Sequence, residues 1–490
     1  MTLDKTVSRL TTTIENMEMR SAKLMNGRVF AGARALYRAA GVDGKDFGKP
    51  IIAIANSFDE FLPGHVHLNK VGRLISEAIK EAGGIPREFN TMAVDDGIAM
   101  GHTGMLYSLP SRDIIADTVE YQVNAHCADA LICIPNCDKV VPGMLMAALR
   151  LNIPTVFVSG GPMEAGTTVL PDGTVKKNTD LIDVMYASAD DNLNEEDLLA
   201  YEKTVCPTCG SCAGMFTANS MNCLTEAIGL ALPGNGTILA SHSYRKDLFK
   251  RAAEQIVKIA KQYYDDDDET VLPRSIATKE AFENAMTMDV AMGGSTNTVL
   301  HILAMAQSAD VDFTLDDIER ISHTVPCICK ASPSGEWEIS DVHRAGGITG
   351  ILGELDRAGK LHRDVHSIDY KTLEDKLNDW DIMRDTCTEE AKQMYLAAPG
   401  HIVSPDPWTH TTLFDSLDRD RVNGAIHDID HPAVTEGGLA VLRGNLAPDG
   451  CVVKTAGVPK EIWTFRGPAL VVESQEQAIE VILNDTLKPG

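Results

Sequence analysis

Three cysteines with two residues between neighbours, Cys206, Cys209 and Cys212, form the most chemically distinctive cluster in the sequence. This spacing is typical of a loop that wraps several thiolates around an iron–sulfur cluster. A closed zinc site fits less well, because no fourth ligand follows at finger-like spacing and the next cysteine, Cys223, falls within a predicted helix. The alternative is that at least one of the three thiols packs as a small apolar side chain. The motif predicts a metal without identifying which sulfurs bind it.

Another candidate thiol, Cys137, lies in a polar loop between Asn136 and Asp138. Cys133 falls inside an apolar run and is interpreted as a core residue of a strand. Because reactive and metal-binding thiols lie in polar, accessible surroundings whereas structural thiols are buried, we expect Cys137 rather than Cys133 to carry chemistry.

Carboxylates accompany this thiol. Asp95, Asp96 and Asp138 are hard oxygen donors of the kind that Mg²⁺ prefers. Each of them could instead cap a helix or form a turn. Lys139 is either a simple ion-pair partner or, if its amine is converted to an anionic group such as a carbamate, a further metal ligand.

A glycine-rich segment, residues 291–298 (AMGGSTNT), precedes a predicted helix and resembles a cradle for an anion. The alternative is that Ser295 or Thr296 simply caps that helix. Neither a GxxxxGK[ST] loop nor a GxGxxG loop in a βαβ context is present in the sequence, so a nucleotide cofactor is not supported.

Short apolar runs alternate with amphipathic patterns around these residues, which is typical of a parallel β-sheet covered by helices on both faces. The predicted strands are residues 51–55, 91–94, 128–134 and 155–158, and the predicted helices are 66–82, 109–123 and 142–151. Farther along, the patterns predict helices at 213–232 and 256–264 and short strands at 437–443, 451–454 and 469–472.

Polar clusters follow all four N-terminal strands, beginning at Asn56, Asp95, Asn136 and Ser159. In an open parallel sheet, sites form in the crevice beyond the carboxyl ends of the strands. We therefore expect these four clusters to converge on one site.

The composition limits the class of function. The 490 residues predict two or three domains, and a formal net charge of −26 excludes a basic nucleic-acid-binding surface and attraction to an anionic membrane. No apolar run approaches the roughly 18 residues of a transmembrane helix, and the N-terminus lacks a signal-peptide core. We expect a cytoplasmic protein whose 11 cysteines serve metal or redox chemistry rather than disulfides.

Eight stretches of the sequence resemble the dihydroxy-acid/6-phosphogluconate dehydratase family. Among them are NSFDEFLPGHVH at residues 56–67, AVDDGIAMGHTGM at 93–105, PNCDKVVPGM at 135–144 and CPTCGSCAGMFTANSMN at 206–222. The others are residues 158–166, 292–298, 342–360 and 437–457. The likeness runs in the same order from about residue 28 to residue 490.

The resemblance implies a site. Cys137 and Cys212 would bind an iron–sulfur cluster, of 2Fe–2S or 4Fe–4S type, and Asp96, Asp138 and a carbamylated Lys139 would bind Mg²⁺ beside it. The implied fold is an α/β N-terminal domain with a parallel sheet followed by a swivelling β-barrel domain, in a homodimer. The expected boundaries are an extension over residues 1–27, the α/β domain over 28–396, a linker over 397–410 and a partial barrel over 411–490.

Two departures from the family pattern are visible. Gly64 stands where some members carry a further cysteine ligand, so the resemblance leaves two alternatives: the subgroup with a labile 4Fe–4S cluster, or a third cluster ligand from elsewhere in the chain. The family's magnesium-binding glutamate and its proposed base serine would lie beyond Gly490. We therefore expect an incomplete barrel and slow turnover by the 490-residue chain.

The implied reaction is the dehydration of 2,3-dihydroxy carboxylic acids to 2-keto acids, with 2,3-dihydroxyisovalerate and 2,3-dihydroxy-3-methylvalerate as substrates in valine and isoleucine biosynthesis. The nearest alternative is a sugar-acid dehydratase of the same family, acting on 6-phosphogluconate or an aldonate. A non-catalytic metal-binding module is the alternative from another class.

Overall fold

The computed structural model describes residues 18–484. The helices are α1 (Ala22–Met25), α2 (Ala31–Ala39), α3 (Leu68–Ala82), α4 (Asp96–Ala99), α5 (Ser108–Ala125), α6 (Val140–Leu151), α7 (Leu181–Ser188), α8 (Glu195–Glu202), α9 (Thr217–Ile228), α10 (Ser243–Asp266), α11 (Pro273–Ile276), α12 (Lys279–Ala291), α13 (Thr296–Ala309), α14 (Leu315–Ser322), α15 (Ile339–Arg344), α16 (Gly347–Arg357), α17 (Leu373–Trp380), α18 (Glu389–Met394) and α19 (Gln475–Leu483). The strands are β1 (Ile51–Asn56), β2 (Ile85–Asn90), β3 (Ala130–Ile134), β4 (Thr155–Phe157), β5 (Gly166–Val169), β6 (Val175–Thr179), β7 (Ala440–Leu442) and β8 (Cys451–Val453). None of the helices in this range is long and apolar enough to cross a membrane.

The predicted parallel sheet is confirmed. Its strand order is β2-β1-β3-β4, and every neighbouring pair runs parallel. Successive side chains of a strand point to opposite faces of a sheet, and every residue of β1 and β3 is buried. Both faces of the sheet are therefore covered, with α3 packed against α10 and α5 packed against α6. Such burial explains why these strands are continuous apolar runs.

The strand predicted at residues 91–94 is wrong. The second strand is β2, which pairs with β1 from Ile85 opposite Ile51 to Asn90 opposite Asn56, and residues 91–94 form the loop that follows it. β2 lies at the edge of the sheet and is buried only in part. An edge strand tolerates Pro86, which donates no ladder hydrogen bond, and it needs no continuous apolar run.

The C-terminal part contains a small antiparallel hairpin in which β7 pairs with β8. These strands lie within two of the three predicted strands, at 437–443 and 451–454. The third predicted strand is wrong, because residues 469–472 have no regular secondary structure. The predicted helix at 213–232 is shorter, and that at 256–264 lies inside the longer α10. The swivelling barrel and the domain boundaries remain predictions.

Residues 397–410, predicted as a linker, lie against the N-terminal region. The buried carboxylate of Glu164 accepts hydrogen bonds from Ser241 Oγ at 2.6 Å and from the backbone N–H of His401 at 2.7 Å, and its Oε1 lies 2.9 Å from Nε2 of His410. Burial favours the neutral acid, but these hydrogen bonds outweigh it and lower the pKa of Glu164 to about 2. The contacts attach residues 401–410 to the loop after β4.

We expect Glu164→Gln to reduce the decrease in the free energy of unfolding at acidic pH. A carboxyl whose pKa is lowered by folding stabilises the protein above its ordinary pKa of 4.5, and that stabilisation is lost as the pH falls towards 2. The difference between the pKa values of 4.5 and about 2 is equivalent to about 3 kcal/mol of folding free energy. Urea unfolding between pH 7 and pH 2.5 measures it: the free energy of unfolding should fall less steeply in Glu164→Gln than in wild type. Parallel curves would contradict the assignment.

Candidate functional site

The loops after the four strands converge as predicted: hydrogen bonds join three of them, and Asp95 and Asp96 of the loop after β2 line the same cavity. The side-chain amide of Asn136, after β3, donates to the backbone carbonyls of Gly64 at 2.8 Å and Gly161 at 3.0 Å, and its oxygen accepts from the N–H of Gly161 at 3.1 Å. The hydroxyl of Ser57, after β1, donates to the carbonyl of Ile134 at 2.8 Å. These bonds fasten the loops after β1, β3 and β4 to one another at one end of the sheet.

A cavity of about 450 Å³ opens at this convergence. Its lining contains most of the candidate residues, namely Cys137, Cys206, Cys212, Asp95, Asp96, Asp138 and Asn297. Cys209 is buried outside it, beside Ser404, and Cys133 is fully buried within β3. The structure therefore separates these five cysteines into three that face one cavity and two that do not.

The thiols of the cavity are poor acids in this surrounding. Burial raises the pKa of Cys137 well above its ordinary value, and the neighbouring carboxylates of Asp95 and Asp138 raise it further. Burial also raises the pKa of Cys212, with contributions from Asp95 and Cys206. Each thiol therefore keeps its proton unless a positive charge lies nearby. A coordinated metal ion supplies such a charge and displaces the proton.

The carboxylates of Asp96 and Asp138 converge on the amine of Lys139. Its Nζ lies 2.6 Å from Oδ2 of each, and Ser108 Oγ donates to Oδ1 of Asp96 at 2.5 Å. Burial and the adjacent Asp138 raise the pKa of Asp96 to about 6. Burial opposes the charged form of Lys139, but Asp138 and Asp96 outweigh it and raise its pKa. The ammonium thus occupies a position that favours a cation.

Whether a divalent cation fits this arrangement depends on how many ligands the side chains offer. Among residues 18–484, no three His, Cys, Asp or Glu side chains are grouped so that together they could hold one metal ion. Asp96 and Asp138 supply only two such ligands, so a third must come from another residue type, and Lys139 lies between them. Oδ1 of Asp138 is buried and has no hydrogen-bond partner. The donor set fits Mg²⁺ if Lys139 becomes an oxygen ligand.

The glycine-rich segment contributes a helix end rather than an empty cradle. Ser295 is the N-cap of α13 and accepts a hydrogen bond from the N–H of Asn297 at 3.2 Å, as the capping alternative predicts. The side-chain amide of Asn297 lies 3.1 Å from Thr217 Oγ1 and 3.4 Å from Oδ2 of Asp138. This segment therefore places an amide donor beside the carboxylates.

Sequence reasoning missed three side chains of this site, namely Ser108, Arg112 and His301. The hydroxyl of Ser108 donates to Asp96, and the ring of His301 lies beside Asp138 with Arg112 behind it. The one available signal was the spacing of His301, four residues after Asn297. The two share a face because α13 begins at Thr296, earlier than the helix predicted after residue 298.

Comparison with known proteins agrees with the geometry. The family described as dihydroxy-acid/6-phosphogluconate dehydratase N-terminal matches residues 49–376, and the family described as dihydroxy-acid/6-phosphogluconate dehydratase C-terminal matches residues 424–490. The dihydroxy-acid dehydratase of Bifidobacterium adolescentis is 98% identical over 474 residues, which are 97% of this chain and 77% of that protein. The dihydroxy-acid dehydratase of Bifidobacterium longum is 91% identical over 474 residues, which are 96% of this chain and 76% of that protein.

The two family matches together extend over most of the chain, and the relatives share its sequence nearly throughout. A non-catalytic metal-binding module is therefore excluded. The chain belongs to the dihydroxy-acid/6-phosphogluconate dehydratase family and is an enzyme of the hydro-lyase class.

Proposed function

We propose that this enzyme dehydrates 2,3-dihydroxy-3-methyl carboxylic acids to 2-keto acids, the reaction type that supplies the precursors of valine and isoleucine. The observation that carries the proposal is the pair of carboxylates around Lys139, next to a cavity lined by three cysteines. The reaction removes the C2 proton and the C3 hydroxyl as water, and the resulting enol tautomerises to the keto acid.

Mg²⁺ would be held by Asp96, Asp138 and a carbamate on Lys139. The neutral amine forms an N–C bond to CO₂ and releases a proton. Two carboxylates and an ammonium carry the same net charge as two carboxylates, a carbamate and Mg²⁺, so the exchange leaves the electrostatic balance of the buried site unchanged. Asp138 and Asp96 raise the pKa of Lys139 and favour its ammonium form, whose charge offsets part of theirs, so carbamate formation requires a replacement cation.

An iron–sulfur cluster would be held by Cys137 and Cys212, which line the same cavity as the carboxylates. Bound Mg²⁺ and an iron with an open position would act as Lewis acids towards the substrate's carboxylate and hydroxyl oxygens. The side-chain amide of Asn297, which lines the cavity beside Asp138, can donate to a substrate oxygen.

The lining of the cavity favours a branched alkyl substrate over a sugar acid. Away from the carboxylates its walls are mostly apolar, with Leu62, Ile98, Met100, Met105, Met163, Leu181, Ile182 and Phe216. Each additional hydroxyl of an aldonate would lose water against such a wall without gaining a hydrogen bond, at a cost of about 1–3 kcal/mol. A methyl or ethyl branch would be buried favourably.

The test is a comparison of kcat/KM for 2,3-dihydroxyisovalerate, gluconate and 6-phosphogluconate, with protein reconstituted anaerobically with iron, sulfide and Mg²⁺. We expect 2,3-dihydroxyisovalerate to be preferred by at least about 10²-fold, the equivalent of two unsatisfied hydroxyls. Equal or better turnover of 6-phosphogluconate would favour the sugar-acid alternative.

We expect Cys206, rather than Cys209, to be the third cluster thiol. Cys206 lines the cavity with Cys137 and Cys212, and it lies near enough to Cys212 for a thiolate there to raise the Cys212 pKa. Cys209 is buried beside Ser404, outside the cavity. Cys206→Ser should lower the iron content and visible absorbance of the reconstituted protein, and Cys209→Ser should retain both. The reverse order would identify Cys209 as the ligand.

The proposal includes a homodimer. Several apolar side chains of α5 and the turn before it are exposed, namely Leu106, Tyr107, Leu109, Ile114 and Tyr121. Exposed apolar side chains at this density are typical of protein–protein contacts. Sedimentation velocity at micromolar concentration should give the mass of a dimer, and the mass of one chain would contradict this part of the proposal.

A further inference from the structure

We infer that His301 is a positioning residue for Asp138: its Nε2–H orients the carboxylate so that Oδ2, and not Oδ1, faces the cation. The inference rests on the proposed function, because it concerns a proposed Mg²⁺ ligand. His301 is fully buried in α13 and would touch neither substrate nor cation.

One face of α13 brackets the Asp138 carboxylate. Asn297 and His301 are four residues apart and project from the same side of the helix. The Asn297 amide lies 3.4 Å from Oδ2 of Asp138, whereas Nε2 of His301 lies 3.9 Å from Oδ1. Each oxygen of Asp138 therefore faces a different side chain of α13, and only Oδ2 lies within hydrogen-bond distance of it.

The tautomer of His301 follows from Arg112. A guanidinium nitrogen of Arg112 lies 3.4 Å from Nδ1 of His301. Because arginine is only a donor, Nδ1 must accept, and the ring proton must be on Nε2, which faces Asp138. His301 thus presents one fixed N–H to Asp138.

Two unsatisfied atoms face each other across this gap. Nε2 of His301 and Oδ1 of Asp138 are both buried and both lack a hydrogen-bond partner. A buried donor or acceptor without a partner is costly, so a hydrogen bond between these two atoms would be favourable. A shift from 3.9 Å to about 3.2 Å would form the bond. Oδ2 of the same carboxylate accepts a hydrogen bond from Lys139 Nζ at 2.6 Å.

Hydrogen-bond partners of metal-binding side chains typically change metal affinity by about 10–100-fold when they are replaced. We therefore expect His301→Leu to raise the Kd for Mn²⁺, a spectroscopic substitute for Mg²⁺, by about 10–100-fold. His301→Gln should stay within about threefold of wild type, because its amide places an N–H donor near the position of Nε2. Arg112→Met should give an intermediate loss, because it frees the tautomer but keeps the ring.

The measurement is an EPR titration of free Mn²⁺ with the reconstituted holoprotein, with cluster absorbance and thermal midpoint recorded for each variant. His343→Leu is the matched control: His343 is equally buried but bonds Thr237 and the carbonyl of Met394, outside the cavity. It should lower the thermal midpoint and leave the Mn²⁺ Kd unchanged.

The inference is overturned by an unchanged Kd in His301→Leu, by a loss in His301→Gln as large as that in His301→Leu, or by an equal loss in His343→Leu. Where His301→Leu does not fold, the difference between His301→Gln and Arg112→Met decides in the same way. Failure of the wild-type protein to bind Mn²⁺ would contradict the proposed function instead.

Discussion

Replacing either Cys137 or Cys212 with serine is expected to abolish the visible absorbance of an iron–sulfur cluster in anaerobically reconstituted protein. Both thiols line the cavity at the ends of the strands, from different loops. Burial raises the pKa of both thiols, so neither is a thiolate without a metal. A serine hydroxyl in the same place loses its proton still less readily and is a poor ligand for iron. Iron and sulfide content together with the visible spectrum measure the effect.

Cys133→Ser is the matched control for this experiment. Cys133 precedes Cys137 by only four residues, but it lies fully buried in β3, outside the cavity lining. The substitution buries a hydroxyl at a cost of about 1–3 kcal/mol, so the thermal midpoint should fall while the cluster content is retained. A full cluster in Cys137→Ser, or its loss in Cys133→Ser, would contradict the assignment.

The second large effect is expected at the carboxylates. Asp96→Asn and Lys139→Arg should each lower kcat by at least about 10²-fold and leave the cluster spectrum intact. Asp96→Asn replaces a carboxylate that lies 2.6 Å from Lys139 Nζ with a neutral amide. Lys139→Arg keeps a positive charge between Asp96 and Asp138, but a guanidinium in protein does not lose its proton and so cannot form a carbamate.

Lys139→Arg separates the two interpretations of this lysine. If Lys139 were only the ion-pair partner of Asp96 and Asp138, the arginine variant would retain substantial turnover. Steady-state assays with 2,3-dihydroxyisovalerate and a thermal midpoint near that of wild type provide the comparison. Turnover close to wild type would reject the carbamate.

The parallel sheet and the convergence of its strand ends were predictable from the sequence, because buried parallel strands are continuous apolar runs. β1 and β3 are such runs, and they end at Asn56 and just before Asn136. β2 was not predictable in the same way. It is an edge strand, and a run of six residues that includes Pro86 carries no clear apolar pattern.

The candidate site was predictable where its residues follow a strand in sequence. Asp138 and Lys139 are adjacent, so the strand that places one also places the other. The sequence did not predict which of Cys206, Cys209 and Cys212 face the cavity. The path of a loop decides this, and the spacing of the cysteines alone does not record that path. His301 reaches the site through the packing of α13 against α6, a long-range contact without a local sequence pattern.

The contacts of Glu164 join parts of the chain that the ribosome synthesises at different times. His410 follows Glu164 by 246 residues. At about 5–20 residues per second, a ribosome takes about 12–50 s to add that length of chain. Throughout this interval the sheet and four of the five proposed ligand residues, all but Cys212, exist in the nascent chain, while the loop after β4 lacks the donors of residues 401 and 410. The loop after β4, at the end of the sheet that carries the proposed site, therefore gains its hydrogen-bond partners late in synthesis, and it gains them from residues that take no part in the chemistry.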